Sequence, residues 1–122
     1  DHPLDRPTVL AGVSRIFHQG EHGFYLVAEC DDAVVGSLMI TTEWSDWRDG
    51  LWWWIQSVYV IKPQRRRGVF RTLYEHVCGL AQSEDNVCGI RLYVEKDNSG
   101  AQSVYREMGM SETRYRLFEA PL

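Results

Sequence analysis

Cysteine, proline and methionine are scarce in this chain of 122 residues, and no apolar run approaches the length of a membrane span. The three thiols, Cys30, Cys78 and Cys88, are odd in number and lack the spacing of metal ligands, which argues against a disulfide-stapled fold or a thiolate metal centre. Each falls in an apolar strand or helix pattern, so the expectation is reduced, buried cysteines in a cytoplasmic protein. His2, His18, His22 and His76 form no spaced metal motif either, and no metal is expected. There is no signal-peptide pattern, internal repeat or low-complexity segment. An excess of positive charge is also missing: 13 Lys+Arg stand against 17 Asp+Glu, a net charge of −4, which disfavours a nucleic-acid module.

What is present suits one domain over residues 1–122, since 44% hydrophobic content at this length supplies a single core without staples. Thr8 is placed to cap a helix running to about His18, with Val9, Val13, Ile16 and Phe17 on one face. Phe24–Cys30 and Val34–Thr42 read as antiparallel strands joined at Asp31-Asp32-Ala33. A polar, aromatic loop from Trp44 to Gly50 precedes a long strand, Leu51–Val60. Val69, Leu73 and Val77 then recur at helical spacing in an element that fades near Gln82–Asn86. Cys88, Ile90, Leu92 and Val94 alternate as a strand. Asn98 or Ser99 opens another helix that Gly109 ends, and Glu112–Glu119 has the pattern of a last strand. The fold class is α+β, a mixed and mostly antiparallel sheet flanked by helices.

The most informative stretch is Lys62–Arg71. It holds five of the 13 basic residues and no acidic one, so a local cation sits in an acidic protein. A strand stops at Pro63, Gly68 permits close backbone approach, and a helix follows whose first N–H groups have no internal partner. That order makes a cradle for a phosphate, with a solvated basic turn as the competing reading. The glycine, lysine and hydroxyl spacing of a nucleotide P-loop is missing.

These residues resemble the GNAT superfamily of acyl-CoA-dependent N-acetyltransferases over roughly residues 8 to 119. The family loop, Gln/Arg-x-x-Gly-x-Gly/Ala, is matched by Arg65-Arg66-Arg67-Gly68-Val69-Phe70 except at its last position, where Phe70 replaces a small residue. A second block, Asn-x-x-Ala-x-x-x-Tyr-x-x-x-Gly, is matched by Asn98, Ala101, Tyr105 and Gly109. The resemblance implies an α/β/α fold and acetyl-CoA as acetyl donor. The pyrophosphate would lie on backbone amides from Arg66 to Arg71, among them Gly68, Val69 and Phe70, with the Arg65–Arg67 side chains adding charge. The pantetheine arm would pair with the backbones of Val58 and Val60, and donors near Tyr59–Val60 would face the oxyanion. Asn98 and Ala101 would lie beside the cofactor. Against the family, a first strand is absent from this sequence, so the expectation is an N-terminally incomplete domain with Phe24–Cys30 as an exposed edge and a homodimer that covers it.

In the implied reaction an amine attacks the thioester directly. Tyr105 is then the acid on the sulfur side, or else only a helix-face aromatic. Asn98 bonds the cofactor arm or simply caps its helix. For the base, Glu43 is first choice as the carboxylate beside the aromatic stretch, with a solvated strand-end acid as the alternative. Gln56 stands on the strand where relatives often carry an acid, and it could orient an amine or a water. All five tryptophans fall in residues 44 to 54. Alternation puts Trp53 on the face opposite Trp52 and Trp54, so Glu43, Trp44, Trp54 and Gln56 become the candidate acceptor site, with nearby acids favouring a cationic amine. The sequence thus reads as an acetyl-CoA-dependent N-acetyltransferase acting on a primary amine; the alternative is a non-catalytic acyl-CoA sensor. No nucleic acid or membrane partner is expected.

Overall fold

A computed structural model describes residues 6–18 and 20–122. The elements run α1 (Arg6–His18), a short 3-10 turn (Gly20–His22), β1 (Gly23–Cys30), β2 (Ala33–Ser45), β3 (Gly50–Val60), α2 (Val69–Ser83), β4 (Val87–Leu92) and α3 (Ser99–Glu107). The sheet order is β1-β2-β3-β4; the first two pairings are antiparallel and β3–β4 is parallel, with α2 as the crossover. The mixed sheet with flanking helices is as expected, and β1 is the edge strand foreseen for Phe24–Cys30.

The β1–β2 hairpin turns on Asp31 and Asp32, whose φ angles are 51° and 64°. Two consecutive left-handed residues give the twist that matches the strands they join, and Asp tolerates that region better than most. Along β3, Trp53 and Ile55 point to one face, where they meet Leu38 and Ile40 of β2 and Leu73, Val77 and Ala81 of α2. The heptad-like recurrence on α2 therefore faces the sheet, as its spacing predicts. Trp53 is 7% exposed, whereas Trp52 and Trp54 lie on the other face, as alternation requires.

Four expectations need correction. Thr8 does not cap α1, which already begins at Arg6; and Val9, Val13 and Phe17 of its apolar face stay exposed, with Phe17 stacked on Tyr25 of β1 at 5.4 Å. The loop Trp44–Gly50 shortens to a turn over residues 46–49, because Trp44 and Ser45 still pair with Leu51 and Gly50. Cys30 and Cys88 are exposed rather than packed inside, so an apolar neighbourhood in sequence did not mean burial; all three cysteines are free. Glu112–Glu119 forms no strand among the described residues. Alternation says which face each side chain of a strand would take, but a strand exists only through a ladder with a neighbour, and this segment makes none.

Tyr74 of α2 has its phenol pushed up to about 12, first by burial and then by a hydrogen bond with Cys78. The folded chain therefore holds this proton more tightly than the unfolded chain, whose tyrosine titrates near 10. Its stabilising contribution is complete below about pH 10 and is lost as pH rises toward about 12. Melting temperatures taken across that window should fall more steeply for the wild-type protein than for Tyr74→Phe. Parallel curves would remove Tyr74 as the cause.

Candidate active site

The parallel ladder between β3 and β4 ends at the pair Ile55–Leu92. Just beyond it β3 also breaks step with β2: Ser37 faces Tyr59, yet Met39 faces Gln56, so one extra residue is accommodated at Ser57–Val58. Ser57 takes φ 52°, a left-handed conformation costing an L-residue on the order of 1 kcal/mol. Such a bulge bends a strand and redirects its backbone groups. Here it opens a cleft of about 280 Å³ between the parted strands, bounded by Gln56, Ser57, Val58, Leu92, Tyr93 and, from α3, Tyr105. A larger cavity of about 750 Å³ runs along the free edge of β4; the smaller one is where backbone groups and a phenol converge, and it is the better candidate for chemistry.

Backbone direction in this cleft follows from the ladder. The Ile61 N–H donates to the Val35 carbonyl at 2.9 Å. In an antiparallel pair alternate residues turn their polar groups to the same neighbour, so Tyr59 faces β2 whereas Val58 and Val60 face the opening. One of those groups is engaged within the chain: Arg65 Nε donates to the Val60 carbonyl at 2.9 Å, with the guanidinium 5.8 Å from the Tyr59 ring.

The basic loop expected to cradle a phosphate follows directly. Lys62–Gln64 forms a 3-10 turn, Arg66 adopts φ 65° and Gly68 φ 81° before α2 begins. The Thr72 N–H and its hydroxyl both donate to the Gly68 carbonyl at 3.0 Å. The amides of Val69, Phe70 and Arg71 precede the first intrahelical bond and are available, together with the positive end of the helix dipole. Phe70, the departure from the family loop, turns inward: its ring lies 6.3 Å from Tyr74 and meets Tyr105 edge-on at 5.9 Å. It therefore packs beneath the cradle, and Arg65, Arg66, Arg67 and Arg71 stay exposed around it.

Tyr105 is half-buried at the cleft, and burial raises its phenol above the ordinary tyrosine value. It stays protonated through the physiological range, as a proton donor must. Asn98 caps α3 through its Oδ1, which accepts from the Ala101 N–H at 3.1 Å. That oxygen is committed to the helix. The helix closes with the Gly109 N–H on the Arg106 carbonyl and the Met110 N–H on that of Tyr105, with Gly109 at φ 92°, a glycine-dependent stop that fixes the last turn carrying Tyr105.

On the acceptor side the structure brings some candidates together and separates another. Glu43, opposite Trp52 in the register, shares a face with Trp54 and Gln56. Its Oε1 accepts from Trp54 Nε1 at 3.0 Å and from Arg91 Nη1 at 3.3 Å. Gln56 Nε2 donates to Thr41 Oγ1 at 2.6 Å and is held at the cleft. Trp44 pairs with Leu51 and so lies on the α2 face, away from this group, and it is exposed. Ser57, Tyr93 and Arg91 were not singled out in the sequence as site residues. Arg91 had a signal, a basic residue at an alternating position of β4; the bulge at Ser57 had none.

Residues 3–110 match the sequence model of the acetyltransferase (GNAT) family. The chain belongs to the acetyltransferase (GNAT) family. This GNAT chain is 28% identical over 83 residues to a probable N-acetyltransferase, san, of Drosophila melanogaster, covering 68% of this chain and 44% of that protein. It therefore spans less than half the length of that curated relative. A solved structure of a possible acetyltransferase from Clostridium difficile 630 is 39% identical, with a TM-score of 0.91 over 99% of this chain and 80% of its own. An aminoglycoside acetyltransferase from an uncultured soil metagenomic sample shares the fold, with a TM-score of 0.76 at 20% identity over 100% of this chain and 76% of its own. Among the described residues no cluster of His, Cys, Asp and Glu could hold a metal, and no helix is long and apolar enough to cross a membrane; His2 lies outside them.

Proposed function

We propose that this GNAT domain transfers the acetyl group of acetyl-CoA to a primary amine by direct attack on the thioester. The observation that carries the reading is the cleft at Ser57, where β3 and β4 part beside Tyr105, whose ring meets Phe70 of the basic loop and helix start at 5.9 Å. The pantetheine amides pair with Val58 and Val60, whose backbones face the opening, in the manner of an added strand. The pyrophosphate rests on the amides of Gly68 to Arg71 with Arg65–Arg67 supplying charge. The amine nitrogen attacks the thioester carbon, a tetrahedral oxyanion forms against the Val60 N–H, since Tyr59, the other expected donor, is turned to β2, and collapse expels the CoA thiolate, which takes a proton from Tyr105. Release of free thiol from acetyl-CoA across a panel of amines tests the reading; cofactor binding without thiol release on any amine would favour an acyl-CoA sensor instead.

The attacking amine must also lose a proton. Glu43 is level with Trp52, four residues along β3 from Gln56, about 13 Å at a strand's rise, so it accepts the proton only through a chain of several waters. Its Oε1 is occupied by Arg91 and Trp54, which leaves Oε2 for the last water of that chain. Glu43→Gln keeps the shape and removes the basicity. Its rate relative to wild type should climb as pH approaches the amine's own pKa and free amine becomes abundant. A ratio that stays flat over that range takes Glu43 out of the base role.

A symmetric homodimer belongs to the same proposal, supported by β1 as a sheet edge that no strand among the described residues covers, with Val27 exposed on it. Light scattering should return a mass that rises with concentration toward twice that of one chain. A monomer mass at every concentration overturns it.

A further inference from the structure

On the sheet face that carries Gln56, charge is arranged in a way that composition conceals. The Arg91 guanidinium lies 3.8 Å over the Trp52 ring, and Arg48, from the β2–β3 turn, lies 5.0 Å from the same ring. Arg114, after α3, borders the same 750 Å³ cavity along β4. Against these three guanidiniums Glu43 supplies the only ion pair among the described residues, with Arg91 at 3.3 Å. Asp46 and Asp49 share the turn with Arg48 but do not pair with it. The Tyr115 hydroxyl is held below the usual tyrosine range, first by a hydrogen bond with Arg114 and less by the charges of Arg48 and Arg91.

This positive face is continuous with the reaction cleft. Tyr93, at the cleft, stacks on Trp54 at 4.4 Å; Trp54 holds Glu43, and Glu43 holds Arg91. The charge of Glu43 is thus offset by its neighbour, and the cavity beside it is lined by Arg48, Arg91 and Arg114 and by no carboxylate among the described residues. Arg91 spends one of its five donors on Glu43, which leaves others to meet a ligand beside the Trp52 ring. A guanidinium edge matches a carboxylate or phosphate in a bidentate pair.

We infer that the acceptor of this transferase is an amine carrying an anionic group, a carboxylate or a phosphate, which Arg91 and Arg48 hold while the nitrogen reaches the thioester. The inference rests on the acetyl-transfer reading. Arg91 is level with Trp54, three residues from Ser57, so the anion and the reacting nitrogen are about 10 Å apart. The anion also orients the acceptor so that its nitrogen, not its charged end, enters the cleft.

The test measures thiol release from acetyl-CoA with ω-amino acids of increasing length, their carboxamides and the matching aminoalkyl phosphates. The acid of the right length should exceed its carboxamide in kcat/KM by on the order of 10-fold, as expected for a charge-assisted hydrogen bond. That preference should shrink with added salt and fall toward one in Arg48→Gln and Arg91→Gln. The phosphate series decides which anion is preferred. If Arg91→Gln fails to fold for want of its stack on Trp52, Arg48→Gln and the salt dependence of the wild type still decide. Turnover with equal kcat/KM for acid and carboxamide overturns this inference alone. Bound acetyl-CoA with no turnover on any amine overturns the transfer reading and this inference with it.

Discussion

Tyr105→Phe is expected to lower the turnover number by on the order of 10- to 1000-fold, the range of an acid–base contribution, with little change in acetyl-CoA affinity. The substitution keeps the ring that meets Phe70 at 5.9 Å and removes only the hydroxyl at the cleft. Burial raises the Tyr105 phenol, so the wild-type donor is fully protonated at neutral pH and loses its proton only in the alkaline range. The alkaline limb of kcat that belongs to this group should therefore disappear in the variant, provided the fold survives there. Because departure of the thiolate is the step affected, poorer thiol leaving groups should suffer more than better ones. A variant with nearly wild-type turnover would return Tyr105 to a purely packing role.

Replacing Arg65, Arg66 and Arg67 together with glutamine should weaken acetyl-CoA binding by on the order of 100-fold at low salt, as several charge-assisted contacts are lost at once. The loss should narrow as salt is added, since exposed charges are screened. Two quantities separate the roles within the run. In the proposed complex the exposed Arg66 and Arg67 would act on phosphate alone, whereas Arg65 also donates to the Val60 carbonyl at 2.9 Å, on the side proposed for the pantetheine. Arg65→Gln should thus alter binding of a phosphate-free pantetheine thioester, and Arg67→Gln should not. Acetyl-CoA should raise the melting temperature of the wild type by mass action and raise it less in the triple variant. If the wild type binds CoA and dephosphorylated pantetheine equally well, the cradle is not a phosphate site.

Short-range physics made much of this protein legible in its sequence. The Asp31-Asp32 turn, the period-two alternation that sends Trp53 inward and Trp52 and Trp54 outward, the four-residue recurrence of Val69, Leu73 and Val77, and the strand, Gly68 and helix order of the cradle each depend on a few neighbouring residues. Tertiary structure decided what depends on partners distant along the chain. Where β3 leaves β4, and that Ser57 is the residue at the bulge, follow from competing registers with β2 and β4 that alternation cannot locate. The pairing of Glu43 with Arg91, 48 residues away, offset a carboxylate that reads as free in the sequence. Trp44, one residue from Glu43, went to the other face for the same reason that Glu43 met Trp52. Glu112–Glu119 kept the pattern of a strand without a ladder, because a side-chain pattern costs nothing to write into a chain, whereas a strand requires a neighbour's backbone to complete its hydrogen bonds.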